Sequence, residues 1–472
     1  MKSFLYSFLV LVAFSFCADS YARTVKGMVT CGQDNLSGVM VTDGMNFTKT
    51  RKNGSFKMKI DDNARFVYIV TPSGYAADWS RGVPQFYQES QGKDFFVFDL
   101  IKTGDDLSCY HLIAVGDPQP RKDIHFEEFA GKPLDDICNT VSTLKEPTVG
   151  VVLGDICFDV FPLMKKWKDN IPRAGIPFYT VPGNHDHNRK VTGNDDLALA
   201  VYNEHFGPGY YAFHMGKDLV IMLDNIIYHN KKDYEEGYTE DILKWVKSLL
   251  KHIPQEADIY VVQHSPLNGR SPLKSRGKLI SNAGAMMDIL KSRNTTFISG
   301  HNHISNIDQY APNIMEHNVA SICGTWWDAY HCKDGTPRGY KVFTKYADEL
   351  HWYYKSIGKD KDFQYEIFLP GEAEMNPESV VLNIWDYDPQ WHVEWWEDGK
   401  PMGEMKQVEE KSPLHMAEIT ERYASDEKGA PKYKKTAKAR HYFAARPKEG
   451  ASKITVRIRN RFGNEWTEDI AL

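Results

Sequence analysis

Five apolar runs in this 472-residue chain each end on side chains that bind metals, and that pattern constrains its fold most tightly. Tyr110 to Gly116 leads into Asp117-Pro-Gln119. Val149 to Leu153 leads into Gly154-Asp155, with Asp159 four residues on. Phe178 to Gly183 leads into Asn184-His185-Asp186. Ile259 to Gln263 leads into His264, and Thr296 to Gly300 into His301-Asn302-His303. Short apolar runs bounded by turn residues read as buried strands of an α/β sheet. Ligands in such sheets gather at the carboxyl ends of the strands. Asp, Gln, Asn and His gathered there suit divalent metals of hard to borderline character.

The flanks read differently. Residues 23–105 carry alternating runs, Val25–Thr30, Ser37–Thr42 and a stretch around the Asn53-Gly54 turn, which predict a small all-β sandwich. Residues 106–360 alternate strands with amphipathic segments. The clearest of these is a helix over 239–251, capped by Thr239, with Ile242, Val246 and Leu249 on its buried stripe. Residues 361–472 return to strands and hairpins and predict a second β-sandwich. The charged stretch Ala424–Lys438, Lys428 to Lys438 included, reads as a solvated loop, as do Asp105 and Asp106.

Met1 to Ala22 has the form of a secretory signal peptide, with Lys2, an apolar stretch and the small residues Ser20 and Ala22 before a cut. The stretch is short for a bilayer span, and bulky Phe16 argues against lipidation at Cys17. The expected location is therefore periplasmic or secreted, with no membrane segment after cleavage. Six cysteines remain, in no recognisable disulfide framework. Cys157 reads as a core residue, and a Cys323–Cys332 pairing is left open. A net charge of −6 argues against a basic nucleic-acid-binding surface.

Taken in order, Asp-x-Gln, Gly-Asp-x-x-x-Asp, Gly-Asn-His-Asp, a strand-end His and Gly-His-x-His resemble the calcineurin-like metallophosphoesterase family. The N-terminal part resembles a transthyretin-like or carboxypeptidase-regulatory-like sandwich, and both flanks resemble those attached to a secreted bacterial branch of the family. The resemblance implies a four-layer α/β/β/α sandwich with two divalent cations (Mn, Fe or Zn, with Mg possible). It implies hydrolysis of a phosphate mono- or diester by a hydroxide shared between them. Asp155 would bridge the two metals. Asp117, Gln119 and His303 would complete one ligand set, and Asn184, His264 and His301 the other. His185 would assist the leaving oxygen, and Asp159 or Asp186 would orient a site imidazole.

The family usually has Asp-x-His where this chain has Gln119. A neutral oxygen donor there shifts preference toward oxygen-loving Mn²⁺ or Mg²⁺. Arg121, Lys122, Arg189, Lys190, Arg270, Lys274 and Arg276 are candidates for meeting substrate phosphate. Trp326 and Trp327 read equally as an aromatic wall for an organic leaving group or as core. Two rival readings stand beside the enzyme. One is an envelope- or glycan-binding protein with an idle metal site, using Trp391, Trp395 and Trp396. The other is a protein serine/threonine phosphatase, disfavoured by Val160 where those enzymes place arginine.

Overall fold

The computed structural model describes residues 22–104, 108–230, 233–268 and 278–472. The signal-peptide reading therefore lies outside the described residues but for Ala22, the first residue of the strand Ala22–Cys31. Asp105, Asp106, Arg270, Lys274 and Arg276 lie outside them too.

Two sheets face each other in the centre. The first runs Phe178–Thr180, Thr148–Val152, Cys109–Val115, Gly339–Tyr346, Glu349–Ser356, with the first three strands parallel. The second runs Tyr211–Met215, Asp218–Leu223, Ile259–Gln263, Thr295–Ser299, Ile314–Asn318, Asn306–Ala311, and its four inner strands are parallel. Successive side chains on a strand point to opposite faces. Leu112, Ala114 and Val151 accordingly join Val220, Val261 and Phe297 in one core. Ile113, Val115 and Val152 point the other way, to Phe129, Leu134 and Trp167 on the helices Asp123–Ala130, Lys132–Thr143 and Pro162–Asn170. The helices Glu240–Leu249 and Ala283–Leu290 cover the second sheet. The first of these is capped as expected, the Thr239 hydroxyl accepting from the Ile242 N–H at 3.3 Å. The result is the expected four-layer α/β/β/α arrangement.

Each flank is built of paired sheets. At the N-terminal end, Ser55–Asp61 buries Phe56, Met58 and Ile60 while Lys57 and Lys59 face water, a clean period of two. Its core runs on into the central sheets: Phe86 packs on Tyr211 at 4.4 Å, and Thr71 pairs with Phe213. At the C-terminal end two four-stranded sheets enclose Val380, Leu382, Val393, Trp395, Val456 and Ile458. Trp391 and Trp395 are thus core residues, not an exposed binding face.

The stretch 424–438 departs from the solvated loop expected of it. It contains a single 3-10 turn, Lys432–Lys434, and Lys434 is buried, its ammonium paired with Asp328 of the central region. Nearby, His331 is held between Glu418 at 2.7 Å and Glu366 at 3.3 Å. Lys341 meets Asp386 at 2.6 Å with both side chains 2% exposed. The C-terminal sandwich is therefore joined to the centre by buried charge. All six described cysteines are free thiols. No helix among the described residues is long and apolar enough to cross a membrane.

Candidate metal centre

The five ligand-bearing loops converge where the parallel strands of both sheets end, and their backbone is strained there. Eight non-glycine residues around this point have positive φ: Asp117, Gln119, Asp155, Asp159, His301, His303, Trp326 and Trp327. Each such residue costs on the order of 1–3 kcal/mol, and such residues cluster at functional sites. The glycines beside the ligands are required by closeness. A Cβ on Gly183 would stand 2.2 Å from Asp155 Oδ1, and one on Gly300 2.5 Å from Asp117 Oδ2.

The imidazoles are aimed by their outer nitrogens. His264 Nδ1 lies 2.7 Å from the Leu153 carbonyl, His301 Nε2 3.2 Å from Glu236, and His303 Nδ1 3.3 Å from the Gly324 carbonyl. Placing the ring protons on these nitrogens turns the unprotonated ones inward. His264 Nε2 is then 3.0 Å from His301 Nδ1, 3.2 Å from Asn184 Oδ1 and 3.5 Å from Asp155 Oδ1. Ligand atoms of Asp155, His264 and His301 all lie within 4.8 Å of one another. On the other side of Asp155, His303 Nε2 is 3.5 Å from Asp117 Oδ1, and the Gln119 amide N–H donates to Asp155 Oδ2. Gln119 Oε1 is buried there without a partner.

Lone pairs crowded at 3 Å and an orphaned buried carbonyl are unfavourable by themselves. A cation relieves both, and the oxygen and imidazole donors are those divalent metals take. The residues therefore fit a divalent metal centre. The electrostatics agree. Burial pushes the Asp155 carboxyl up, but His264, His185 and His301 outweigh it and hold it at about 2. Burial pushes His303 down, yet Cys323 and Asp117 raise it to about 10, so this corner draws positive charge. Burial, above all, lowers His264.

His185 stands beside the cluster. Its N–H donates to Asp155 Oδ1 at 2.8 Å, its ring stacks on Phe158 at 3.8 Å, and its Nδ1 lies 3.1 Å from Asp159 and 2.8 Å from Arg189. Of the two carboxylates expected to orient an imidazole, Asp159 stands where it can. Asp186 does not: it accepts the N–H groups of Gly183, Ile156 and Cys157, tying two ligand loops together. Arg121 lies over Phe158 at 4.0 Å, with two guanidinium nitrogens buried and unpartnered.

A cavity of about 440 Å³ opens beside Asn184 and His185, walled by Phe158, Arg189, Tyr234, Trp326 and Tyr433. Trp326 stacks on His303 at 4.4 Å. Trp327 faces the other way, its indole N–H donating to the Pro118 carbonyl at 2.9 Å, so the aromatic wall contains Trp326 alone of the pair. Glu236, Tyr234 and Tyr433 belong to no sequence motif, and Phe158 fills a variable position of Gly-Asp-x-x-x-Asp; none was expected at the site. Only the hairpin Ile226–Asn230 with Asp233–Glu236 brings Glu236 there.

Three family models match, described as the N terminal of calcineurin-like phosphoesterase over 23–102, calcineurin-like phosphoesterase over 110–305, and the C terminal of calcineurin-like phosphoesterase over 316–466. No curated protein matches. Among solved structures, the chain is similar to a dimetal phosphatase from Danio rerio (14% identity, 53% of this chain and 97% of that one, TM-score 0.39). It is also similar to TT1561 of Thermus thermophilus (10%, 52% and 98%, TM-score 0.33). A third is a 5′-nucleotidase from Candida albicans SC5314 (10%, 54% and 52%, TM-score 0.32). With its three matched segments in order and the strand-end ligands of the central one assembled, this chain belongs to the calcineurin-like phosphoesterase family and is a hydrolase of phosphoric esters.

Proposed function

We propose that the protein is an exported phosphoesterase that uses two divalent cations to hydrolyse a phosphate mono- or diester. The observation that carries this is the inward convergence of His264 Nε2 and His301 Nδ1 at 3.0 Å beside Asp155, with Gln119 Oε1 orphaned on its far side. Export is supported by the pattern of residues 1–22.

Asp117, Gln119, His303 and Asp155 would hold one cation; Asp155, Asn184, His264 and His301 the other. Bound there, the pair supplies Lewis acidity to the phosphoryl oxygens and makes water acidic enough to attack at neutral pH. The chain's own part is orientation and proton handling. Asp155 directs its two oxygens to the two halves of the site. His185, braced by Asp159 and Phe158, is placed to protonate the departing ester oxygen. Arg189, 3.1 Å from Asp159, adds positive charge at the cavity wall where a phosphate dianion enters.

The test is hydrolysis of an aryl phosphate monoester and a bis-aryl diester by residues 23–472, across Mn²⁺, Zn²⁺, Fe²⁺, Ni²⁺ and Mg²⁺. Metal-dependent turnover is expected. Asp155→Ala should lower it roughly 10³-fold or more, the loss of several kcal/mol of charge stabilisation. Turnover that survives in that variant, or none with any metal in folded protein, would refute the proposal.

A further inference from the structure

Resting on the phosphoesterase reading, the geometry points to a ring-bearing substrate: we propose that Tyr433, supplied by the C-terminal region, completes the cavity with Trp326 and Tyr234 and stacks on a flat aromatic ring of the esterifying group.

The rings nearest the metal ligands are already engaged. Phe158 has Arg121 at 4.0 Å and the stacked His185 at 3.8 Å, two groups that cannot share one face. Trp326 has one face on His303, with Tyr433 set at 88° to it, 5.3 Å away. Tyr433 also has neighbours, Trp326 at its edge and Lys434 Nζ 5.8 Å from its ring centroid, but it is more open than either of the other rings. It is 53% exposed, and it stands on the cavity wall beside Arg189 and His185. A tyrosine this open offers an apolar face and a polar hydroxyl to whatever enters the cavity, the combination for which tyrosine is enriched at binding surfaces.

Tyr433 is also held in place. Its neighbour Lys434 is buried against Asp328, which in turn accepts from Tyr423 OH at 2.9 Å and Arg422 Nε at 3.1 Å. Asp328 lies two residues from Trp326, so one carboxylate fixes both aromatic walls relative to each other. An ordered ring beside the phosphate-binding groups is pre-organised, and pre-organisation is what converts a contact into selectivity. An alkyl or open-chain ester would leave this wall unused.

The test compares three phosphates of primary alcohols, so that the leaving oxygen stays the same: adenosine 5′-monophosphate, ribose 5-phosphate and glucose 6-phosphate. Metal-loaded full-length protein should favour adenosine 5′-monophosphate, the one ester with a flat aromatic ring, roughly tenfold in kcat/KM, the usual worth of one or two stacking contacts. Tyr433→Ala should bring the ratio to within about twofold of unity, and Tyr433→Phe, which keeps the ring, should retain it. Equal kcat/KM for the three esters, a preference for the pyranose, or a preference untouched by Tyr433→Ala would overturn the proposal. Calorimetric binding of the same compounds to Asp155→Asn separates the two readings. A Tyr433-dependent preference in binding with no turnover by the wild type would sink the phosphoesterase and leave the ring pocket standing.

Discussion

Gln119 decides how strongly one half of the centre holds its cation. Its carbonyl is neutral, and while its N–H donates to Asp155, the Oε1 that would act as the ligand has no other partner. Gln119→His replaces it with a better donor for borderline metals. We expect about tenfold tighter binding at that half, read by competition with a chelator; unchanged affinity would show that Gln119 is no ligand. Glu236 acts through His301. Glu236→Gln removes the anion that fixes the His301 proton on Nε2, and loss of such a partner typically weakens metal binding about 10- to 100-fold. Metal titration by calorimetry should show this with the melting temperature nearly unchanged, since Glu236 is not part of the core.

Among the elements, the helix Pro413–Arg422 carries the clearest pH dependence. It presents Glu418 to His331 and buries His415 against Thr325 and Thr436. Burial lowers His331, but Glu366 and Glu418 overcome it and raise the imidazole to about 9. That stability is fully present below its unfolded pKa of about 6.5 and is lost as pH rises through 9. Burial above all lowers His415 to about 4, so its contribution is present above about 6.5 and lost as pH falls through 4. Each is worth up to about 3 kcal/mol. Docking of this helix should therefore be tightest near pH 6.5, measured as the rate of proteolytic cleavage within 424–438. A flat profile from pH 5 to 9 would contradict it.

This element also marks where sequence reasoning stops. The strand ends were legible because a run such as Val149–Leu153 followed by Gly154-Asp155 encodes its site locally. An α/β centre was legible through the alternation of strands with amphipathic segments such as the helix Glu240–Leu249, whereas the four-layer arrangement was implied by the family resemblance. The turn Lys432–Lys434 was not. Lys434 looks like any solvated lysine until Asp328, 106 residues away, is placed against it. Tyr433 and Glu236 reach the site by equally long-range contacts that no local spacing announces. Trp326 and Trp327 were indistinguishable as a pair. The fold sets one against His303 at the cavity and the other into the core, its N–H on the Pro118 carbonyl.

For the whole molecule, the buried pair Lys341–Asp386 makes the central fold dependent on the C-terminal sandwich. A chain ending at residue 360 leaves Lys341 buried without its carboxylate, a loss of about 3–5 kcal/mol. For a structure of this size that is roughly 4–7 °C in melting temperature, provided the truncated chain stays soluble. A scanning-calorimetry trace matching the full-length protein would disprove the dependence. The N-terminal sandwich is bound differently, by the unbroken apolar packing from Phe86 and Thr71 to Tyr211 and Phe213. Three family models tile the chain like separable modules, yet among the described residues this packing continues from the first matched segment into the second. Lineages that recombined these modules could not have cut there freely. An exchanged sandwich would have to bring the matching edge strand Tyr211–Met215 with it, so the heritable unit is larger than the module.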